Sequence, residues 1–131
     1  MKRKRTISLW LLVAMACITI SATAFAGEAN VYHVFVLDLK DDVTPEQVEE
    51  MITVGKALIS QIPGVLEVSI GKKALDNRPQ HIKDYDVAGY AKWEKLETGK
   101  VYGPHILHQI FLKLYFKPLV ADFKLIDFYS N

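Results

Sequence analysis

From residue 31 onward the chain alternates between short apolar runs and stretches with a helical repeat. The first run, Val31 to Leu39, reads VYHVFVLDL and is dense in β-branched and aromatic residues, which predicts a strand. Asp41 and Asp42 turn the chain, and Thr44, Pro45 and Gln47 then form the N-cap, first position and third position of a capping box. Val48, Met51, Ile52, Leu58, Ile59 and Ile62 keep a helical period and predict one buried face. Gly55 is small on that face, where another element could come close. Ile62-Pro63-Gly64-Val65 ends the helix and launches a second strand over about 65–72. In it Leu66, Val68 and Ile70 alternate with Glu67 and Ser69.

Residues 73–83 are polar and contain Asp76-Asn77-Arg78-Pro79, the composition of a loop. A third strand is expected from about Tyr85 to Trp93, then a short helix from Glu94 to about Tyr102, weakened by Gly99. Gly103-Pro104 resets the chain. From His105 a second helical segment carries Leu107, Ile110, Phe111 and Leu114 on one stripe until Pro118 stops it, and Asp122 to Tyr129 closes as a fourth strand. The order β-α-β-β-α-β, with its second helix broken in two, is the α+β, ferredoxin-like arrangement, an antiparallel sheet with helices on one face. Apolar or aromatic residues occupy both faces of the later strands, Val87 against Tyr90 and Leu125 against Phe128. A sheet apolar on both sides with helices for only one predicts a homodimer through the bare face.

The start of the chain follows another logic. Lys2 to Arg5 are basic, an apolar run extends from Ile7 to about Ile20, and Ala24-Phe25-Ala26 supplies small residues for a leader-peptidase cut. Residues 1–26 therefore read as a signal peptide and 27–131 as the mature domain, exported to a periplasm or secreted and off the membrane after cleavage. An uncleaved anchor is the alternative, since the run approaches a span in length. A lipoprotein at Cys17 fits poorly, because Ala14-Met15-Ala16 is a weak lipidation site. Cleavage takes four basic residues and no acids from the 16 basic and 15 acidic residues of the full chain, leaving a net charge near −3. The mature domain then has no basic face to recommend nucleic acid. It also has no cysteine, so its core and any subunit interface must hold it without disulfides.

Several residues together carry a resemblance. His33, Ile62-Pro63-Gly64-Val65, Gly71, Tyr85-Asp86, Tyr102-x-x-His105-x-x-His108, Lys117-Pro118-Leu119-Val120 and Asp127-Phe128 resemble, in order and spacing, the stress-responsive dimeric α/β-barrel (Dabb) family. The family usually has proline directly after the first paired histidine; here Pro104 precedes His105 and Ile106 follows it. A signal peptide is not general in the family either. The resemblance implies a two-subunit barrel with a small apolar pocket in each subunit, between sheet and helices. A plant polyketide cyclase of that family uses a strand histidine, a tyrosine and a helix histidine, which the resemblance places here at His33, Tyr102 and His108.

As chemistry, those residues make a coherent set. His105 and His108 are three apart and would share a helix face. Near a helix start the positive dipole end disfavours an imidazolium, leaving the neutral form that a general base needs. The expected roles are His108 as base, Tyr102 as oxyanion partner and His33 as the group orienting a substrate carbonyl. His105, Phe35 and Phe111 are expected to contact the ligand. The structural alternative is that the paired histidines only cap the helix and His33 only satisfies a buried carbonyl. His33, His105 and His108 could also supply three nitrogens to zinc, but no carboxylate neighbour is evident, and neither metal nor cofactor is expected. A Gly-rich phosphate loop, a Gly-x-Ser-x-Gly elbow and a cysteine nucleophile are all missing from 27–131. The reading is an exported dimer that binds a small hydrophobic or aromatic carbonyl compound. Its alternative is a cofactor-independent cyclase or lyase acting next to a carbonyl.

Overall fold

A computed structural model describes residues 29–130. The expected leader, residues 1–26, lies outside them, and among the described residues no helix is long and apolar enough to cross a membrane. The elements are β1 (Val31–Leu39), α1 (Pro45–Ile59), β2 (Val65–Lys72), β3 (Val87–Trp93), α2 (Thr98–Tyr102), α3 (Ile106–Phe111), a π-helical turn (Leu112–Phe116), α4 (Lys117–Leu119) and β4 (Val120–Tyr129). The four strands form one antiparallel sheet in the order β2-β3-β1-β4, the ferredoxin-like fold expected from the sequence. β1 lies between β3 and β4, and β2 and β4 are the edges.

Local chemistry sets the first half. The Thr44 side chain accepts from the Gln47 N–H while the Gln47 side chain accepts from the Thr44 N–H, so two free donors of α1 are satisfied reciprocally. Met51, Ile52, Gly55 and Ile59 form the buried stripe of α1. A Cβ on Gly55 would lie 2.9 Å from the Phe111 ring and 3.0 Å from Ile70, so the missing side chain lets α3 and β2 close on α1. Gly64, with φ +84°, makes the left-handed turn into β2, and a Cβ there would also strike the Thr98 side chain at 2.6 Å. Met51, Ile59, Ile62, Val31 and Val87 are the most deeply buried large side chains, between α1 and the sheet.

The inner, helix-covered face takes alternate residues: Val31, His33, Phe35 and Leu37 on β1, with Asp127, Leu125 and Phe123 opposite them on β4. The outer face carries Tyr32, Val34, Tyr90, Ile126 and Phe128, and Tyr32 stacks on Phe128 at 5.2 Å. No element among the described residues covers that face, and Ile126 and Phe128 stand 58% and 48% exposed.

The structure corrects the sequence reading in four places. Leu66 is exposed because the β2–β3 register shifts between Val65 and Glu67, a bulge that breaks the alternation. β3 starts at Val87, since Asp86 is used at its mouth, its carboxylate accepting from the Leu39 N–H at 2.9 Å. The helix expected from Glu94 begins at Thr98. Leu114 is exposed and β4 begins at Val120, because the π turn interrupts the α repeat after Phe111. In a π turn each residue stacks over the one five before it, so Phe116 continues the line of Phe111 and Leu114 swings outward.

Replacing Gly55 with leucine should overpack the α1–α3–β2 junction and cost about 1–3 kcal/mol. Urea unfolding at matched protein concentration reads this as a lower midpoint with an unchanged slope. An unchanged midpoint would show that the junction is looser than described.

Candidate functional site

The helical layer does not seat flush on β1 and β4. Between them lies a cavity of about 420 Å³, walled by Phe35, Leu37, Phe111, Leu112, Phe116 and Leu125. Polar groups gather mainly at one end, where His33, Tyr102 and His108 line it beside Trp93. Such a volume, apolar with a few convergent polar groups, is in the range that holds a small organic ligand.

Each ring at that end is held by a neighbour. His33 stacks on Trp93 with centroids 4.8 Å apart and planes 15° apart. Tyr102 meets the His33 ring edge-on at 5.5 Å and the His108 ring at 4.5 Å. The Trp93 indole N–H is buried with no acceptor among the described residues, so Trp93 contributes its face. Gly99 makes room for it, since a Cβ there would lie 2.8 Å from the indole.

The hydrogen bonds decide which nitrogens are free. His33 Nδ1 is 2.6 Å from Asp127 Oδ1, and an ionised carboxylate only accepts, so that nitrogen carries the proton. His108 Nδ1 is 3.0 Å from the Gly103 carbonyl oxygen, so it donates as well. In the neutral form of either ring the proton sits on Nδ1, and Nε2 is left with its lone pair. Burial, reinforced by the nearby His33 and only partly opposed by the bond to Gly103, pushes the His108 pKa below that of an ordinary histidine. His108 is therefore neutral at pH 7. Burial alone raises the Tyr102 hydroxyl far above its usual value, so it stays protonated and can only gain by donating. Two lone pairs and one O–H donor on three neighbouring rings are the groups needed to move a proton and steady the oxyanion that results.

Of the residues expected to act, His33, Tyr102 and His108 are brought together, and Phe35 and Phe111 line the same cavity. His105 does not. It is the N-cap of α3, with ψ 137° and its Nδ1 accepting from the Leu107 N–H at 3.2 Å. It therefore lies outside the helix and shares no face with His108. This is the capping role weighed above, and it also removes the third nitrogen of the zinc alternative; among the described residues no cluster of His, Cys, Asp or Glu is arranged to hold a metal.

Three residues of the site were given no functional role from the sequence. Asp127 is the partner of His33, Trp93 is its stacking platform, and Lys117 lines the far end. The signal for Asp127 was its phase: it is the one acid in the inward-facing set of β4, with Phe123 and Leu125.

Comparison with known proteins follows this geometry. The profile of the stress responsive A/B barrel domain matches residues 31–130. No curated protein matches the sequence. A dimeric ferredoxin-like protein of unknown function from Thermobifida fusca is 26% identical with a TM-score of 0.67, over 79% of this chain and 92% of its own. A Dabb family protein with a ferredoxin-like fold from Mesorhizobium loti is 20% identical with a TM-score of 0.66, over 79% and 99%. The hydroxynitrile lyase from Passiflora edulis is 15% identical with a TM-score of 0.69, over 80% and 95%. The last two are likenesses of fold.

The lowered His108 pKa fixes a sign. Above the ordinary histidine value, near 6.5, both folded and unfolded His108 are neutral. As pH falls below it the unfolded chain takes the proton first, so stability drops until the folded value is passed. Wild type should lose stability between pH 7.5 and 5.5 more steeply than His108→Leu. At pH 7.5 that variant should cost under about 1 kcal/mol, because Gln109 Nε2 still donates to the Gly103 carbonyl at 2.8 Å. Urea titrations at three pH values check both statements, and parallel pH slopes would contradict the first.

Proposed function

The chain belongs to the stress responsive A/B barrel domain family, and on that premise we propose that its cavity binds a small hydrophobic or aromatic carbonyl compound and moves a proton on the carbon next to that carbonyl. The observation that carries this is the common orientation of His33 and His108, each spending Nδ1–H on the protein and keeping a lone pair on Nε2. Purely structural histidines need no such shared arrangement around a protonated tyrosine. His33 is the base in this reading, because its Nδ1–H is held by Asp127 and the imidazolium that forms would keep that carboxylate as its partner. Tyr102 donates to the developing enolate oxygen, and the proton taken up on His33 Nε2 is given back from that nitrogen, with neutral His108 beside it as a hydrogen-bond acceptor. The reaction class is a cofactor-independent cyclase or lyase step, and the residues named supply its acid and base themselves.

We infer further that the protein works as a homodimer. Tyr32, Val34, Ile126 and Phe128 form an uncovered aromatic and aliphatic sheet face that a second copy would bury. Export, with the leader removed after Ala26, belongs to the same reading: a cysteine-free mature domain gains from an interface what it lacks in disulfides.

Deuterium exchange at the α-carbon of phenylacetone in D2O, followed by NMR, tests the chemistry without knowledge of the natural substrate. The mature protein should accelerate exchange at pH 7.5, and His33→Gln should slow it about 10²- to 10⁴-fold. Asp127→Asn should act in the same direction. Binding of the ketone with no exchange above buffer would reduce the reading to a binding protein. Separately, wild type should sediment as a dimer and Ile126→Lys as a folded monomer; a monomeric wild type would overturn the dimer.

A further inference from the structure

The cavity has a second polar end. Lys117 lines it, its backbone beside Lys40 at the opposite end of β1 from His33, and among the described residues its ammonium has no partner. Lys40 lies nearby, but its own ammonium is committed to the Lys117 and Pro118 carbonyl oxygens at 3.1 and 2.7 Å. Lys117 is thus the available cation at that mouth.

Both walls give the same distance between the ends. Along β1, His33 and Leu37 are four residues apart, about 13 Å at strand rise. On the other wall, His108 and Lys117 are nine residues apart, again about 13 Å at helical rise. The π turn brings the lysine into this line. The Lys117 N–H donates to the Leu112 carbonyl, five residues back, so Lys117 stacks over Leu112 and Phe116 over Phe111, and all four line the cavity. With an α repeat, a residue five positions on would stand well round the helix from its predecessor.

Resting on the carbonyl-binding reading above, we propose that the ligand is an elongated oxo acid whose carbonyl meets His33, Tyr102 and His108 and whose carboxylate meets Lys117. Allowing about 3 Å for the hydrogen bond at Lys117 leaves roughly 10 Å between the two groups. An extended chain gains roughly 1.2 Å per bond, so this corresponds to about eight bonds. The walls between are Phe35, Leu37, Phe116 and Leu125, which suit a saturated chain.

Calorimetric titration of the mature protein with 9-oxodecanoate and with 2-decanone tests this. The two share carbonyl and chain, and only the first carries an acid. The oxo acid should bind at least tenfold tighter than the ketone. Lys117→Gln should abolish that preference, and Lys117→Arg should restore it. Equal affinities in wild type, or a preference that survives Lys117→Gln, would overturn the oxo-acid proposal and leave the carbonyl reading standing. Failure of both compounds to bind wild type would overturn the two together.

Discussion

The pairing of β1 with β4 is the constraint on which the site depends. It joins residues 94 positions apart in sequence and sets His33 directly opposite Asp127 on the helix-covered face. A half-buried imidazole left to itself could adopt either tautomer. With a carboxylate across the strand gap it adopts one, and Nε2 is the nitrogen left without its proton. Trp93, from β3 on the other side of β1, closes the ring from its face. The central strand thus receives one restraint from each neighbour, and the His33 ring is fixed by the sheet itself.

The helical layer completes the site from above. Gly55 lets α1 and α3 approach, and the approach places Phe111 as a cavity wall. The Gly103 carbonyl, just after α2, orients His108 as Asp127 orients His33. Burial then acts on two groups in opposite chemical senses: it keeps His108 neutral, with one nitrogen bare, and Tyr102 with its proton. The same low-dielectric walls therefore produce an acceptor and a donor side by side, which is the division of labour that proton transfer beside a carbonyl requires.

What could be read in advance follows the range of the interactions involved. β1, α1 and β2 lie where the apolar pattern put them, because a capping box, a Pro-Gly turn and a run of β-branched residues act within a few positions. The β-α-β-β-α-β order was legible for the same reason, and the family resemblance pointed to His33, Tyr102 and His108. The bulge at Leu66, the π turn after Phe111 and the early start of β4 were not legible, since each is settled by packing against elements distant in sequence. His105 was misplaced because the helix starts one residue after it, and that single residue turns a ligand contact into a cap. Asp127 entered only as part of the family pattern, with no role, because its partnership with His33 lies in strand register.

The central claim is that both site imidazoles carry their proton on Nδ1 and offer Nε2 to the cavity. Long-range ¹H–¹⁵N correlation spectra of the mature protein at pH 7.5 measure this directly. For His33 and His108 the account predicts an Nδ1 shift typical of a protonated nitrogen and an Nε2 shift typical of a bare one. An Nε2–H tautomer at either residue, or the averaged shifts of a freely exchanging solvent-exposed ring, would contradict it.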